Sequence, residues 1–537
     1  MKKVVITILI VLAIVAITNK GLEYWIKSNF QANINSNPNR DYNITYSNFN
    51  LSNFFDGITL DQVNIEPLYH KTGTLIRGHV DHAKISGLGL KDLLIHKSLL
   101  IDEITFKKPK FEITLSTDTI QKTSGKGLQS MFHDILSRAK ITNFHIKNGS
   151  VVLIDPITKM VKGEVKKLNV LASHLETDTL KFKNLIPFQM QDLEITLDSV
   201  SFELNDCKYF RLGRFQHRLQ EKMIVLNDIT LGYSTDWIDV SKRLGIQKDI
   251  VELNVKEINI QQFEPSNNFY TQLDVLAPKV LVDELDITLR RNKNIPRPPD
   301  VAKSSFQGIV NAIPIEFIID SLQISNSSLT YGELGAKKYQ SGSIKIENIN
   351  GNINGITNIT KHQRHIGEIE TNIKASLLGK SRLNFALQIP YDRLETFSLD
   401  LDVGKMNMKH LNSIIKPLVG VEIVSGQMHQ IQFHMNAGQN QSNNRLVFDY
   451  DNLNVKISDD HKKSKKKSVL SAILNGAIRK HNLPHERRHI IAKYQFKKNK
   501  YRSPINYIIK GLLHGTTKIV PGKLAQKIIS NKKKKVR

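Results

Sequence analysis

One short segment near the C-terminus has the residue spacing of a zinc site. His485, Glu486 and His489 form an H-E-x-x-H sequence, which on a helix places two histidine ligands on one face beside a glutamate that can act as a general base. The two positions between them are Arg487 and Arg488, and no third ligand is placed nearby in the sequence. Because a strongly basic segment repels a dication, we predict no metal site and no catalytic residue here.

The rest of the sequence lacks the signatures of enzymes that bind phosphate or use a serine nucleophile. It contains no G-x-x-x-x-G-K-S/T, no G-x-G-x-x-G and no G-x-S-x-G segment. Its acidic residues are scattered rather than paired for acid-base work. A single cysteine, Cys207, excludes a disulfide framework and cysteine-based zinc sites. We therefore predict a protein that is not an enzyme and that holds no cofactor.

Positive charge is concentrated at the C-terminal end of the chain. The net charge is +26, from 76 Lys and Arg against 50 Asp and Glu. Residues 461–537 hold 23 of the basic residues and one acidic residue, Glu486, so this tail carries +22. The preceding 460 residues keep 53 basic and 49 acidic side chains and are nearly neutral. A basic tail favours anionic partners such as nucleic acid or acidic lipid headgroups.

The N-terminus has the features of a membrane anchor. Two lysines precede an uncharged, mostly apolar run from Val4 to Thr18, and Tyr24 and Trp25 follow, as interfacial aromatics often do. We predict one uncleaved transmembrane helix over residues 1–26, with a cytoplasmic N-terminus and an exported body. A cleaved signal peptide has the same charged start and apolar middle, and it is the alternative.

Alternation of apolar and polar residues with a period of two dominates the body of the chain. Each such run predicts a strand with one apolar and one polar face, as in an antiparallel sheet that is covered on one side. Short phase slips between the runs predict turns or bulges. The apolar residues of the clearest runs include Ile104, Phe106, Phe111, Ile113, Ile431, Phe433 and Met435.

An internal repeat relates residues 128–150 to residues 306–328 at an offset of 178. Both copies begin with apolar residues at helical spacing, continue with a strand pattern and end in a matching Asn-x-Ser, which we interpret as a turn. A linker rich in helix breakers precedes each copy. The pattern predicts a duplicated module of a short helix plus sheet, and chance agreement of apolar positions is the alternative.

Three parts of the sequence resemble the AsmA-like family of bacterial envelope proteins. They are residues 41–65 with 99–115, the two copies of I-x-x-L/F-x-I-x-N-G/S-S, and residues 410–438, where a polar strand begins at Ser425 and Gly426. The resemblance covers most of the chain. It implies an elongated, curled antiparallel sheet that forms a groove with an apolar floor, in a protein of the bacterial inner membrane whose bulk lies in the periplasm. Family members are linked to phospholipid movement and outer-membrane biogenesis.

The predicted fold is therefore mainly β, with short helices, one N-terminal transmembrane helix and a basic amphipathic C-terminal helix. We predict five segments: an anchor (1–26), an N-terminal AsmA-like β module (27–120), two β repeat modules (121–300 and 301–460) and a basic, partly helical tail (461–537).

The function that the resemblance implies is binding and conduction of phospholipid along the apolar groove. The alternating residues named above are the candidate lining, and ordinary core packing between two sheets is the alternative for each of them. A scaffold of the same fold, which organises envelope protein partners and carries no lipid, is the alternative function.

Within the basic tail, an apolar stripe at helical spacing follows Pro504. An anionic membrane surface suits such a stripe in a cationic setting. A helix that caps the end of the sheet, with solvated charges, is the alternative. Nucleic-acid binding requires a cytoplasmic tail, which contradicts the predicted topology, so we expect no nucleic-acid partner. The candidate membrane-contact residues are Ile505, Ile508, Ile509, Leu512, Leu513, Lys510 and Lys518.

Overall fold

The structure is a computed structural model in which strands predominate. It describes residues 20–21, 24–25, 28–32, 35–36, 42–52, 56–68, 75–88, 99–114, 139–176, 190–205, 207–263, 274–335, 340–392, 394–457 and 476–522. Strands account for 63% of the structure and helices for 15%, which confirms the mainly β prediction. Two compact units are present: unit 1 is Met1–Asn227 with Pro265–Leu273, and unit 2 is Asp228–Glu264 with Asp274–Arg537.

Unit 1 contains one sheet. Its strands are β1 (Tyr42–Thr45), β2 (Asn48–Leu51), β3 (Gly57–Pro67), β4 (Leu75–Ser86), β5 (Leu99–Thr114), β6 (Ala139–Ile154), β7 (Val161–Glu176), β8 (Asp192–Leu197), β9 (Ser199–Asn205) and β10 (Lys208–Arg218). Strands β1 and β2 both pair with β3, and β3, β4 and β5 follow in antiparallel order. Strand β5 then pairs in parallel with β6, and β6 pairs antiparallel with β7. Strands β8 and β9 share the place between β7 and β10. The next strand, β11 (Met223–Tyr233), contains the boundary with unit 2.

Unit 2 repeats this arrangement and extends it. Its strands are β12 (Asp249–Gln261), β13 (Asp274–Asn292), β14 (Glu316–Leu334), β15 (Ser341–Thr357), β16 (Glu368–Leu377), β17 (Ser381–Pro390), β18 (Phe397–Val403), β19 (Met406–Asn407), β20 (Val421–Ala437), β21 (Gln441–Ile457) and β22 (Ala492–Lys497). Strands β13 and β14 are parallel. Antiparallel pairing joins β12 to β13, each consecutive pair from β14 to β18, β20 to both β18 and β19, and each consecutive pair from β20 to β22.

The described helices of unit 2 are short except for the last one. They are α1 (Trp237–Leu244), α2 (Phe306–Asn311), α3 (Thr360–Ile366), a 3-10 turn (Met408–Leu411), α4 (Asn412–Val419) and α5 (Pro504–Ile519). Helix α5 begins where the Ser503 side chain accepts a hydrogen bond from the Asn506 N–H, with Pro504 in the first turn.

The sheet pairing is antiparallel, as predicted, except at two parallel pairs. They are β5 with β6 and β13 with β14, the same place in the two repeats. Parallel neighbours need a crossover that returns the chain to the starting end of the sheet. In the second repeat that crossover contains α2, where the sequence predicted a helix; the helix predicted in the first repeat, within residues 128–138, lies outside the described residues.

The phase slips in β5 and β21 lie inside unbroken strands, whereas the slip at Asp198 separates β8 from β9. In β5, Ile104 and Phe106 precede Lys108, whose φ is +48°, and Phe111 and Ile113 follow it on odd instead of even positions. A single residue with positive φ reverses the alternation, so the apolar side chains stay on one face of the sheet. Residues of this kind, other than glycine, include Gln62, Lys108, Asn148, Lys167, Glu284, Asn326, Asn348 and Asn452.

Asn148 and Asn326 show that the repeat extends to this backbone detail. They are 178 residues apart and have φ of +57° and +49°. The backbone N–H of each donates a hydrogen bond to an asparagine side chain on the next strand, at 2.9 Å from Asn148 to Asn169 and 3.1 Å from Asn326 to Asn350. The matching Asn-x-Ser that we interpreted as a turn is therefore an irregularity within β6 and β14.

The anchor and the segment boundaries are covered only in part. In the portion of the chain that the structure describes, we find no helix with the length and apolar character needed to cross a membrane, and residues 1–19 of the predicted anchor lie outside that portion. The predicted boundaries at 120/121 and 460/461 also fall outside it. The boundary at 300/301 lies inside unit 2, between β13 and β14, which pair with each other.

Candidate functional site

The apolar face of unit 1 consists of rows of side chains that cross the sheet at right angles to its strands. Residues paired across neighbouring strands lie on the same face, so the register defines each row. We name four rows by the candidate lining residue that each contains. The Phe106 row is Leu60, Ala83, Phe106, Ile146, Val170, Ile195 and His217. The Ile104 row is Ile58, Ile85, Ile104, Phe144, Ala172 and Leu193.

Two further rows lie beyond the residues of positive φ. The Phe111 row is Ile65, Gly78, Phe111, Val151, Val165, Val200 and Leu212. The Ile113 row is Ile76, Ile113, Leu153, Gly163, Phe202 and Phe210. Leu60, Phe106, Phe111 and Ile113 pack against one common buried cluster, which places the rows on both sides of Lys108 on the same face.

Aromatic rings and glycines alternate along this face. A Cβ atom added to Gly78 would lie 3.1 Å from the Phe111 ring, and one added to Gly163 would overlap the Phe202 ring. Each ring therefore covers a neighbouring strand where no side chain stands up from the sheet. Phe106 and Phe144 pack edge to face, with ring centroids 5.9 Å apart. The face is consequently apolar over its whole width, including at its glycines.

This face is only partly buried. Ile104 is buried, whereas Phe106, Phe111 and Ile113 each keep part of their surface exposed. Among the described residues, most buried apolar side chains of unit 1 form two small clusters, of five and six residues. The helical residue Phe30 packs at the β2 end of the face, on Phe49. An extended apolar surface with partial exposure is a feature of sites that bind apolar ligands.

The opposite face of unit 1 is polar. Lys107 and Glu112, which alternate with the lining residues, are exposed. Glu103 accepts a hydrogen bond from the Thr105 hydroxyl at 2.6 Å, and this bond, with the nearby Lys84 ammonium at 3.9 Å, lowers the pKa of Glu103. The carboxylate is thus held in its ionised form on the solvated side of the sheet.

His217 is the one titratable side chain in the four rows. It is buried at the β10 end of the Phe106 row, with Nδ1 3.3 Å from the Met223 carbonyl oxygen. Burial lowers its pKa, because desolvation disfavours the charged imidazolium. The ring is therefore neutral at pH 7 and is compatible with an apolar surface.

The candidate lining residues of unit 2 have a different environment. Phe433 and Met435 are 1% and 0% exposed and belong to a large core together with Leu399 and Leu446. Ile431 is partly buried and packs against the same core. These residues do lie on one apolar face, as the alternation predicted, but the face is closed in this part of the sheet.

Helix α5 is the element that closes it. Gly511 faces Phe433 and Met435, and Gly515 faces Leu446 and Tyr494. The Tyr494 hydroxyl donates a hydrogen bond to the Gly511 carbonyl oxygen at 2.7 Å. Glycines on this line of the helix let its backbone approach the strands closely.

The candidate membrane-contact residues of α5 divide between its two sides. Ile508 and Leu512 pack against the core of unit 2, as the capping interpretation requires. The others remain exposed, namely Ile505, Ile509, Leu513, Lys510 and Lys518.

The H-E-x-x-H segment forms turns instead of a helix. Residues 484–488 are turns and bends, so His485 and His489 do not share a helical face. His489 instead contacts the buried carboxylate of Asp449, with Nε2 2.8 Å from Oδ1. Across the described residues, no group of three or more His, Cys, Asp or Glu side chains is placed to hold a metal ion.

Comparison with known proteins adds no family assignment. No protein-family model and no curated protein sequence matches this chain. The AsmA-like resemblance stays a prediction based on the segments named above, and the geometry of the apolar face carries the functional proposal.

Sequence reasoning missed most members of the four rows. Alternation is visible in β3, at Ile58 and Leu60, and in β6, at Phe144 and Ile146, and could have added these members. Ala83 and Gly78 have no such signal, because small residues join the face only through the register of their neighbours.

Proposed function

We propose that this protein is a membrane-anchored periplasmic protein that binds the acyl chains of phospholipid on the apolar face of unit 1. It conducts phospholipid along this face for outer-membrane biogenesis and homeostasis. The observation that carries the proposal is the set of apolar rows, which are unbroken across the sheet and partly exposed.

The dimensions of the face suit an acyl chain. From β3 to β10 the Phe106 and Phe111 rows cross seven strand positions, counting β8 and β9 as one, and therefore six steps between strands. At about 4.8 Å for each step the face is about 29 Å wide. The hydrocarbon core of a bilayer is about 30 Å thick, and one acyl chain spans half of it. A chain thus lies lengthwise on a row with room to advance.

The chemistry of the face supports binding without fixing a chain in one place. Each methylene group transferred from water to an apolar surface contributes about 0.8 kcal/mol. Neighbouring rows present similar aliphatic and aromatic side chains at most strands, and aromatic rings cover the glycines at Gly78 and Gly163, so successive positions have similar affinity. The headgroup stays in water beside the sheet, where its charge keeps its hydration.

Described residues that follow the predicted anchor in the sequence pack against β1 and β2, beside the strand at which the rows begin. Residues 28–32 are helical, and the Phe30 ring lies 4.9 Å from that of Phe49 in β2 and 6.1 Å from that of Tyr46. The Asn35 side chain bonds both backbone groups of Ile44 in β1, at 2.7 and 2.9 Å. Because β1 and β2 pair with β3, these contacts support a path in which phospholipid enters at the first strand of the rows, on the side of the predicted anchor.

Site-specific photo-crosslinking in cells tests the proposal. A photoreactive amino acid at Phe106 or Phe111 faces the proposed lipid path, and the same residue at Lys107 or Glu112 faces the polar side. We expect phospholipid adducts at the first pair and none at the second. Equal labelling of both faces, or labelling of neither, would contradict the proposal.

One observation favours the scaffold alternative for unit 2. The apolar face around Phe433 and Met435 is a closed core under α5, so it offers no path for a ligand in this arrangement. Crosslinkers at these two positions should capture other residues of the chain instead of lipid. If the positions in unit 1 also captured protein alone, the scaffold function with envelope protein partners would be the better account of the whole chain.

A further inference from the structure

The outward side of α5 carries a narrow apolar stripe. Ile505, Ile509 and Leu513 are spaced four residues apart, so they form one line along the helix. Their side chains are 58%, 49% and 49% exposed. The inward side is held against the sheet through Tyr507, Gly511, Gly515 and Ile519, which are buried. The stripe is therefore a fixed feature of unit 2 and not one face of a detached helix.

The segment of the chain that contains this stripe is strongly basic. Between residues 476 and 522 the single acidic residue is Glu486, whereas many basic residues are exposed. Lys510 and Lys518 lie on α5 itself, and the two flanking segments of the tail, 461–475 and 523–537, add further lysines in the sequence. Within residues 476–522 the exposed basic residues are Lys480, Arg487, Arg488, Lys493, Lys497, Lys500, Lys510 and Lys518. Lys493 and Lys497 alternate with Tyr494 and Phe496, which contact α5, so these two lysines lie on the opposite face of β22.

We propose that the outward side of α5 rests on an anionic lipid surface. Ile505, Ile509 and Leu513 enter the interfacial layer of the membrane, while Lys510 and Lys518 contact acidic headgroups. Amphipathic helices with aliphatic residues in a cationic setting bind membranes in this way. A stripe one residue wide is small for a protein partner, since a stable protein interface buries about 800 Å² on each side. The inference goes beyond lipid conduction, and either can fail without the other.

An environment-sensitive fluorophore on α5 tests this contact directly. We would place a single cysteine at Ile509 in a Cys207→Ser background, label it with a nitrobenzoxadiazole dye, and hold the full chain in neutral phosphatidylcholine nanodiscs. The matched control is the same label at Ile157, an exposed isoleucine in the β6–β7 turn of unit 1. Vesicles with about one third phosphatidylglycerol should shift the emission to the blue and raise it several-fold at 509 alone.

Three outcomes would overturn the proposal. One is an unchanged spectrum at position 509 with the anionic vesicles. Another is an equal change with pure phosphatidylcholine vesicles or at position 157. The third is a change that follows protein concentration in the absence of vesicles, which would assign the stripe to a second copy of the chain.

Charge variants give an independent test that leaves the buried side of α5 intact. Lys510→Gln and Lys518→Gln should each weaken vesicle binding about fivefold, because one basic residue near an anionic surface contributes about that factor. Binding should also weaken as salt is raised. The double variant Ile505→Ser/Leu513→Ser should abolish vesicle binding, while its circular dichroism spectrum stays that of the wild type. Wild-type affinity in both charge variants would contradict the proposed headgroup contacts.

Discussion

Two glycines of α5 allow the packing of this helix on its sheet to be measured with a matched pair of substitutions. A Cβ atom added to Gly511 would lie 3.7 Å from Phe433 Cζ, which is ordinary van der Waals contact. A Cβ atom added to Gly515 would lie 2.5 Å from Tyr494 Oη and 2.7 Å from Leu446 Cδ2, which is too close for a carbon atom. The same change, one helical turn apart, therefore fits at one position and overlaps at the other.

The expected magnitude follows from two opposing contributions. Replacing glycine by alanine inside a helix stabilises the helix by about 1 kcal/mol, and both variants gain this amount. Overpacking a core costs about 1–3 kcal/mol and applies only to Gly515→Ala. Neither neighbour moves easily, because Leu446 is fully buried and the Tyr494 hydroxyl is bonded to the Gly511 carbonyl oxygen. The helix contribution cancels in the comparison, so α5 should be less stable in Gly515→Ala than in Gly511→Ala by about 1–3 kcal/mol.

Native-state hydrogen exchange measures this difference locally. Peptides that cover α5 report its opening equilibrium, and the expected difference corresponds to about 5- to 150-fold in their exchange rates. Exchange in strands of unit 1 is the internal control and should not differ between the variants. If both variants exchanged equally, or if Gly515→Ala exchanged more slowly, α5 would not be seated on Leu446 and Tyr494, and the closed face of unit 2 would be wrong.

Three further predictions concern the sheets. Burial lowers the pKa of His217 below its value of about 6.5 in an unfolded chain, so the unfolded state takes up the proton first, and wild-type stability should fall relative to His217→Gln as the pH drops below about 6.5. Thermal unfolding of both proteins at pH 7.5 and 5.5 measures this difference, and an equal loss of stability in both would refute it. Asn326→Val should lower the free energy of unfolding by about 1–2 kcal/mol more than Asn326→Gly, because the φ of +49° at position 326 disfavours a β-branched residue. Urea unfolding measures the difference, and equal midpoints for the two variants would show that the backbone relaxes. Phe49→Ala should cost about 3–5 kcal/mol and release the helical residues around Phe30. Hydrogen exchange in a peptide that covers residues 28–32 measures the release, and an unchanged exchange rate would contradict the contact.

The β architecture could be predicted from the sequence because alternation is a local signal. Ile104 and Phe106 share a face through the geometry of one strand, and no tertiary information is needed to see it. The parallel pairs could not be predicted in this way, because pairing direction depends on how the chain returns after each strand. The repeat at an offset of 178 contained that information, since a helix between two strands indicates a crossover.

The phase slips could be seen in the sequence, but their cause could not. They arise at residues with positive φ, a backbone conformation that the apolar–polar pattern does not indicate. Lys108, Lys167 and Glu284 have positive φ, although residues of these types rarely adopt it. The pairing of neighbouring strands imposes this conformation, and an asparagine two residues later stabilises it in several strands. The Asn169 side chain donates to the Lys167 carbonyl oxygen at 3.0 Å, and that of Asn350 donates to the Asn348 carbonyl oxygen at 2.9 Å. An asparagine inside an otherwise alternating strand is thus a usable sequence signal for such a reversal.

The tail shows why one apolar stripe supported two interpretations. Ile505, Ile509 and Leu513 lie beside Ile508 and Leu512 on a helical wheel, and apolar character alone cannot divide them. Gly511 and Gly515 do divide them, because two glycines four residues apart inside a helix lower its intrinsic stability unless a close packing partner requires them. They identify the inward side, on which the helix caps the sheet, and leave the isoleucines at 505 and 509 with the leucine at 513 facing outward. Capping of the sheet and the proposed membrane contact then belong to opposite sides of α5. Because the buried side packs on the core of unit 2, it also determines the direction in which the exposed side faces.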